Sequence, residues 1–235
     1  MNNELTKLLI NNFGQKYSKI LGIDLESRDE DEVFKWFLAS ILFGAPITET
    51  AVIKTYKCFE NWKALAPKTI LKIGWEGLVK ILDEGSYTRY DFKTADKLLE
   101  VMGNLVAKYQ GTLRFLHEQA ADSADLEKRL KELGKGVGNV TIGIFLRELR
   151  TIWEKAHPNP TPLVTLAARN LGIAKKNNPH EVLQELEKFW TENEVNEKDF
   201  VNFETALLRI GKDFCRKKKC RRCQLRRYCA VTYST

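Results

Sequence analysis

Apolar residues recur every three to four positions along most of the chain, a spacing that places them on one face of an α-helix. The segment 31–43, DEVFKWFLASILF, shows the pattern with apolar residues at 33, 34, 37, 38, 41 and 42. Further helices are predicted over about 48–61, from Pro67, from about Phe92, over 123–133, over 139–153, and in three segments beyond residue 160. No stretch alternates apolar and polar residues as a β-strand does, so we predict an all-α protein.

Prolines interrupt the helical pattern in the second half of the chain. Residues 155–163, KAHPNPTPL, hold three of the six prolines. Because proline fixes its own φ and lacks an N–H group, this segment is predicted to be a rigid connection and not a helix interior.

A glycine-rich stretch, LGKGVGNVTIG at 133–143, separates two of the predicted helices. Apolar residues share one face of the helix before it (Leu126, Leu130, Leu133) and one face of the helix after it (Ile142, Phe145, Leu146, Leu149, Ile152). The sequence therefore predicts a hairpin of two helices. Val137 would fill its interior, and the glycines would take positive φ.

This hairpin has two interpretations, an ordinary turn between packed helices and a surface that approaches a phosphate. N–H groups in the glycine stretch and in the first turn of the next helix have no helical partner, and such groups bind anions. The Thr141 hydroxyl would satisfy a local donor or contact the phosphate. We predict contact with a nucleic-acid backbone, without base reading, by Lys135, Gly136, Gly138, Asn139, Val140 and Thr141.

The positive charge of the chain is concentrated in one segment near its C-terminus. The net charge is +7, and residues 215–229, CRKKKCRRCQLRRYC, contain eight Lys and Arg residues and no acidic residue. The rest of the chain is close to neutral. A solubilising tail would have this composition, but a localised basic patch is also typical of contact with a polyanion. We predict DNA-backbone contacts by Arg216, Lys217, Arg221 and Arg222.

The same segment contains four cysteines, Cys215, Cys220, Cys223 and Cys229. Four cysteines so close together in an intracellular chain favour a metal site over disulfides. Zinc sites usually combine two separated CxxC pairs, whereas here one CxxC is flanked by a single cysteine on each side. This arrangement favours an iron–sulfur cluster, with zinc as the alternative.

Two of these motifs are similar to those of the endonuclease III-like superfamily of helix-hairpin-helix DNA glycosylases. LGKGVGNVTIGIFLREL resembles the family hairpin, and CRKKKCRRCQLRRYC resembles its C-terminal [4Fe–4S] loop. The closing CxxCx5C has the family spacing, whereas the first interval is shorter than usual. The resemblance implies a two-lobed all-α fold. A six-helix barrel would span 31–154, with the hairpin at about 126–150, and a cluster lobe would combine 1–30 with 155–235.

The resemblance also implies a function, a base-excision repair glycosylase that flips a damaged or mismatched base out of duplex DNA and cuts its glycosidic bond. Two family residues are absent. Val140 stands where bifunctional members carry a lysine, and the family aspartate falls within 159–161, Asn-Pro-Thr. We therefore predict a glycosylase without lyase activity.

Other residues are candidates for the catalytic carboxylate and for contact with the flipped base. Asp91 is the candidate carboxylate, although a helix N-cap would have the same position. Tyr87 and Tyr90 are candidates for stacking on a flipped base, and core packing is their alternative role. Thr161 is a weaker candidate.

Two other function classes remain open, a non-catalytic DNA-binding protein on the same fold and a zinc-containing RNA-binding protein. The expected partner is double-stranded DNA, and the protein is expected to be a monomer. No run approaches the roughly 18 apolar residues of a membrane span, and the N-terminus does not resemble a signal peptide. We therefore expect a cytoplasmic protein, nucleoid-associated in a prokaryote or nuclear in a eukaryote.

Overall fold

Helices and turns make up the secondary structure of the computed structural model, which describes residues 2–230, and those residues contain no strand. The α-helices are α1 (Asn2–Phe13), α2 (Tyr17–Ile20), α3 (Glu30–Phe43), α4 (Glu49–Asn61), α5 (Pro67–Glu84), α6 (Asp91–Tyr109), α7 (Leu113–Gln119), α8 (Ser123–Lys131), α9 (Asn139–Leu149), α10 (Pro162–Asn170), α11 (Pro179–Glu192) and α12 (Phe200–Ile210). The all-α prediction is confirmed. No helix among the described residues is long and apolar enough to cross a membrane.

Most helices begin at signals that the sequence carries. The side chain of Asp29 accepts the Asp31 N–H at the start of α3, and Thr48 accepts the Ala51 N–H at the start of α4. Pro67 occupies the first turn of α5, where its missing N–H costs nothing. The predicted starts at these positions therefore agree with the structure to within one or two residues.

The chain forms two compact units. Leu21–Pro158 form the first, which contains the glycine hairpin and is called the hairpin unit here. Residues up to Ile20 and residues from Asn159 onward form the second, the cysteine unit. The first boundary lies ten residues earlier than predicted because the segment after Ile20 packs on α3. There the Glu32 carboxylate accepts the Asp24 N–H at 2.7 Å.

The hairpin unit contains helices α3–α9 around an aromatic core, and α5 is broken in two at Gly74, where φ is +72° and ψ −179°. Trp36, Phe37 and Phe145 are buried, and the Trp36 indole N–H donates to the Phe145 carbonyl at 3.0 Å, joining α3 to α9. Besides the helices expected from the sequence, the unit contains α7, directly before α8. Thr112 caps α7 by accepting the Phe115 N–H.

The cysteine unit has its own core, in which α1 packs against α12. The core includes Leu9, Val164, Leu186, Phe203 and Leu207. The Arg209 guanidinium of α12 donates to the carbonyls of Phe13 and Gln15 and lies over the Tyr17 ring, 4.3 Å from its centroid. Residues from both ends of the sequence therefore build one unit.

Candidate nucleic-acid interface

The predicted hairpin forms between α8 and α9. Leu126, Leu130 and Leu133 are fully buried before the turn, and Ile142 and Phe145 are buried after it. Val137 lies between these faces with 4% of its surface exposed, so it fills the hairpin interior as predicted.

The three glycines of the turn have different backbone requirements. Gly136 has φ +88°, whereas Gly138 is extended, with φ −101° and ψ −176°. Gly134 also lacks a positive φ, but a Cβ there would lie 2.8 Å from the Val101 Cγ2 of α6. The expectation of positive φ is therefore confirmed only for Gly136. Close approach explains Gly134, and a Cβ on Gly138 would point into open space.

The first turn of α9 presents unpaired backbone N–H groups. Gly138 is the N-cap and has no side chain to accept a hydrogen bond, and the first helical bond runs from the Ile142 N–H to the Gly138 carbonyl. The N–H groups of Asn139 and Val140 precede that bond and have no hydrogen-bond partner among residues 2–230. Both residues are exposed. This is the geometry in which a helix start binds an anion.

Thr141 differs from its neighbours because its side chain is buried. Its hydroxyl packs against the α-carbon of Gly44, after the end of α3, where any Cβ would collide with it. The predicted phosphate contact by this hydroxyl is therefore wrong. The buried position fixes the start of α9 against α3.

Polar residues of α6 hold the turn in place, and this role was not predicted from the sequence. The Glu100 carboxylate accepts the Lys135 N–H at 3.0 Å, and the Asn104 amide donates to the Leu133 carbonyl at 2.9 Å. The Lys97 side chain lies over Gly136. Residues 97, 100 and 104 share one helix face, so their spacing was the only sequence signal for this role.

Tyr87 is not available to stack on a base. It is 1% exposed, and its hydroxyl donates to the Leu42 carbonyl at 2.6 Å. Its predicted stacking role is therefore wrong, because core packing and this hydrogen bond hold the ring inside the hairpin unit. Burial raises its pKa far above the ordinary value.

Tyr90 and Asp91 lie at the start of α6 and remain candidates. Tyr90 is half-buried, and the Arg89 guanidinium lies over its ring, 5.6 Å from the centroid. Tyr90 occupies the N-cap position, but the Asp91 carboxylate accepts the Phe92 N–H at 2.7 Å, so Asp91 does satisfy a free N–H group at the start of α6, as its alternative role requires. Local desolvation and a hydrogen bond with the Asp91 carboxyl raise the pKa of Asp83. The structure thus places two carboxyl groups side by side at this end of α6.

Two positions where the sequence resemblance would place catalytic groups carry none. Val140, where that resemblance would place a lysine, is 64% exposed and bears only methyl groups. Thr161 is the N-cap of α10, and its hydroxyl accepts the Val164 N–H at 3.4 Å. Helix capping therefore accounts for Thr161.

The four cysteines lie in a loop that continues from α12 in the cysteine unit. A π-helical turn, Gly211–Cys215, is followed by two 3₁₀ turns, Cys220–Arg222 and Arg226–Tyr228. The Ala230 N–H donates to the Asn170 carbonyl at 2.7 Å and closes the loop against α10.

The thiols of this loop interact electrostatically. Burial raises the pKa of Cys215, and the nearby Cys229, Cys223 and Cys220 raise it further. Four thiols are the number of donors that a [4Fe–4S] cluster or a zinc ion takes. Within residues 2–230, no three His, Cys, Asp or Glu side chains are grouped closely enough to form a metal site as they stand. The cofactor stays a prediction.

The basic residues of the loop are exposed. Arg216, Lys217, Arg221 and Arg222 all face solvent, in agreement with a charged surface. Lys217 forms an ion pair with Asp213 at 3.3 Å, and Arg227 forms one with Glu4 at 2.6 Å. Arg216, Arg221 and Arg222 have no such pair among the described residues.

Comparisons with known proteins support the fold. The structure matches that of the 3-methyladenine DNA glycosylase MagIII of H. pylori bound to 1,N6-ethenoadenine, with a TM-score of 0.54. The match covers 92% of this chain and 98% of that chain at 17% sequence identity. No protein-family model and no curated protein sequence matches the chain. The chain therefore has the helical fold of this glycosylase.

Proposed function

We propose that this protein is a DNA glycosylase of base-excision repair, which binds duplex DNA and removes a damaged or mismatched base. The observation that carries the proposal is the glycine hairpin, with its exposed N–H groups, in a chain that shares the fold of a 3-methyladenine DNA glycosylase. The hairpin would hold a backbone phosphate without reading sequence. The basic residues of the cysteine loop would contribute further phosphate contacts.

Chemistry on the flipped base requires a group that stabilises positive charge developing on the sugar. Asp91 is the candidate, and the Asp83 carboxyl lies beside it. Tyr90, with Arg89 over its ring, is the candidate stacking surface for the base. These roles follow from the side-chain chemistry and exposure of the start of α6.

We propose that the enzyme lacks lyase activity. Strand cleavage through a Schiff base needs a lysine amine that attacks the sugar. Val140 replaces that lysine at an exposed position of α9. Borohydride should therefore trap no covalent complex between the protein and abasic DNA.

We also propose that Cys215, Cys220, Cys223 and Cys229 hold a [4Fe–4S] cluster, with zinc as the alternative. Such a group would fix the conformation of the loop and the positions of its arginines and lysines. Elemental analysis of purified protein should give about four irons per chain, as a four-cysteine cubane holds. One zinc and no iron would favour the alternative.

The decisive test of the glycosylase proposal is release of a free base from duplexes that each contain one damaged or mismatched base. The reaction is run with enzyme in excess, and alkali then reveals abasic sites that the protein leaves uncut. Base release that is lost in Asp91→Asn supports a monofunctional glycosylase. Asp96→Asn is the matched control, because Asp96 lies on the same helix and its hydrogen bond from Trp75 survives the change to an amide.

A non-catalytic DNA-binding protein is the second candidate. The observation that favours it is that Val140 and the helix-capping Thr161 supply no catalytic group. It predicts no base release from any duplex, with salt-sensitive duplex binding retained.

A further inference from the structure

Lys97 is a lysine of α6 whose side chain reaches the glycine turn. A Cβ on Gly136 would lie 2.7 Å from the Lys97 Cε and 3.3 Å from its Nζ. Glu100 and Asn104, on the same face of α6, are both engaged with the turn. Lys97 therefore brings a cation against the backbone of the turn at Gly136, two residues before the N-cap of α9.

The Lys97 ammonium lacks a partner inside the described part of the chain. No ion pair or hydrogen bond of this group occurs in residues 2–230, and the nearest carboxylate on its helix face, Glu100, accepts the Lys135 N–H. The side chain is half-buried, and burial lowers its pKa. A partly desolvated cation without a counter-ion is unfavourable, so an anion bound at the turn would relieve this cost.

We propose that Lys97 contacts a backbone phosphate of duplex DNA at the glycine turn, a role that rests on the proposed function. The ammonium would supply a charge-assisted hydrogen bond beside the N–H groups of Asn139 and Val140. Lys135, on the exposed side of the turn, would supply a second cation. The family lysine is replaced at Val140, but Lys97 would place an amine at the hairpin from another helix, where it binds and does not attack.

The proposal gives a second reason for glycine at position 136, besides the positive φ of its backbone. Any side chain at 136 would displace the Lys97 stem from the turn. A substitution there would therefore remove both the backbone conformation and the position of the cation.

Binding of a short undamaged duplex at several salt concentrations tests the proposal. Lys97→Met keeps the apolar stem and removes the charge. We expect roughly tenfold weaker binding and a fall of about 0.9 in the slope of log affinity against log salt. Lys97→Arg should keep the slope. Lys108→Met removes an exposed lysine about 16 Å further along the same helix and is the matched control.

A folding effect is separated by thermal unfolding. Lys97→Met should unfold at the wild-type temperature or above it, because a half-buried unpaired charge is removed. The proposal is overturned if Lys97→Met keeps the wild-type slope, or if Lys97→Arg loses as much affinity as Lys97→Met. These outcomes leave the proposed function standing. If the wild-type protein bound no duplex at all, the proposed function would fail together with the role of Lys97.

Discussion

Gly134, Gly136 and Gly138 are two residues apart, yet each satisfies a different physical condition. Contact with Val101 excludes a side chain at 134, and a positive φ with the Lys97 stem excludes one at 136. At 138 the backbone is extended and the space is open. The sequence alone shows three equivalent glycines, because these conditions depend on α6, which lies far away along the chain.

Residue-scale prediction of the candidate site failed for similar reasons. Tyr87 and Tyr90 are both tyrosines before a helix, and nothing local distinguishes them. Burial against α3 and the Leu42 carbonyl decides the role of Tyr87. Val137, by contrast, could be placed correctly because its position inside a helical hairpin leaves only the interior for an apolar side chain.

His117 gives a pH-dependent prediction. Its ring stacks on Trp153 at 4.6 Å, and its Nε2 is buried with no hydrogen-bond partner among residues 2–230. Burial, followed by the charge of Lys155, lowers its pKa in the folded protein. The unfolded chain therefore takes up a proton at higher pH than the folded chain does. Stability is complete above the unfolded pKa of about 6.5 and is lost as pH falls through the folded pKa.

We expect the melting temperature of the wild type to fall more steeply than that of His117→Phe as pH drops below about 6.5. Phenylalanine keeps the stacking on Trp153 and cannot titrate. His180→Phe, which changes an exposed histidine, should retain the wild-type pH dependence. Equal slopes for wild type and His117→Phe would contradict the assignment.

At the scale of elements, α6 is the support on which the hairpin depends. Glu100 and Asn104 fix the turn, while Thr141 fixes the start of α9 against the end of α3. The bounds of most helices could be predicted because caps, prolines and apolar faces are local signals. The contacts of α6 with the turn could not, since they join residues about thirty positions apart. Helix α7 was missed because its seven residues are too short for a clear apolar face.

The turn yields a prediction that separates folding from binding. Gly138→Leu should cost no more than about 1 kcal/mol, the effect of a poor N-cap residue, because its Cβ points into open space. The bulk beside the α9 N–H groups should nevertheless weaken duplex binding similarly for all sequences. Gly136→Ala should instead destabilise the fold by about 1–3 kcal/mol, because alanine is strained at positive φ.

Duplex affinity and thermal unfolding are measured for both variants to separate the effect on binding from the effect on folding. Unchanged duplex affinity of Gly138→Leu, measured on folded protein, would remove the turn from the DNA interface. A stability loss at Gly138 equal to that at Gly136 would mean that the extended conformation of Gly138 does not hold in solution.

At the scale of the whole molecule, charge is distributed unevenly. Eight basic residues lie within 215–229, and the remaining chain is close to neutral. This distribution could be predicted from the sequence, but the ion pairs of the basic residues could not. Asp213 and Glu4 neutralise Lys217 and Arg227, so the charge available to a polyanion is carried by fewer side chains than the composition indicates.

The charge distribution predicts which residues control salt sensitivity. Replacing both Arg221 and Arg222 with Gln should reduce the slope of log affinity against log salt by about 1.8, because each would release a counterion on binding DNA. Lys217→Gln should change it less, since its charge is already paired with Asp213. A wild-type slope in the double variant would exclude the loop from DNA contact.

The pairing of α1 with α12 has a consequence for synthesis on the ribosome. Helix α1 lies against a helix that begins at Phe200, so it cannot complete its packing until the residues between them and α12 itself have been translated. At typical elongation rates that delay is roughly 10–40 s. The hairpin unit, formed by Leu21–Pro158, has no such dependence and can complete its core on the nascent chain. The amphipathic α1 therefore keeps its apolar face exposed until α12 has been made.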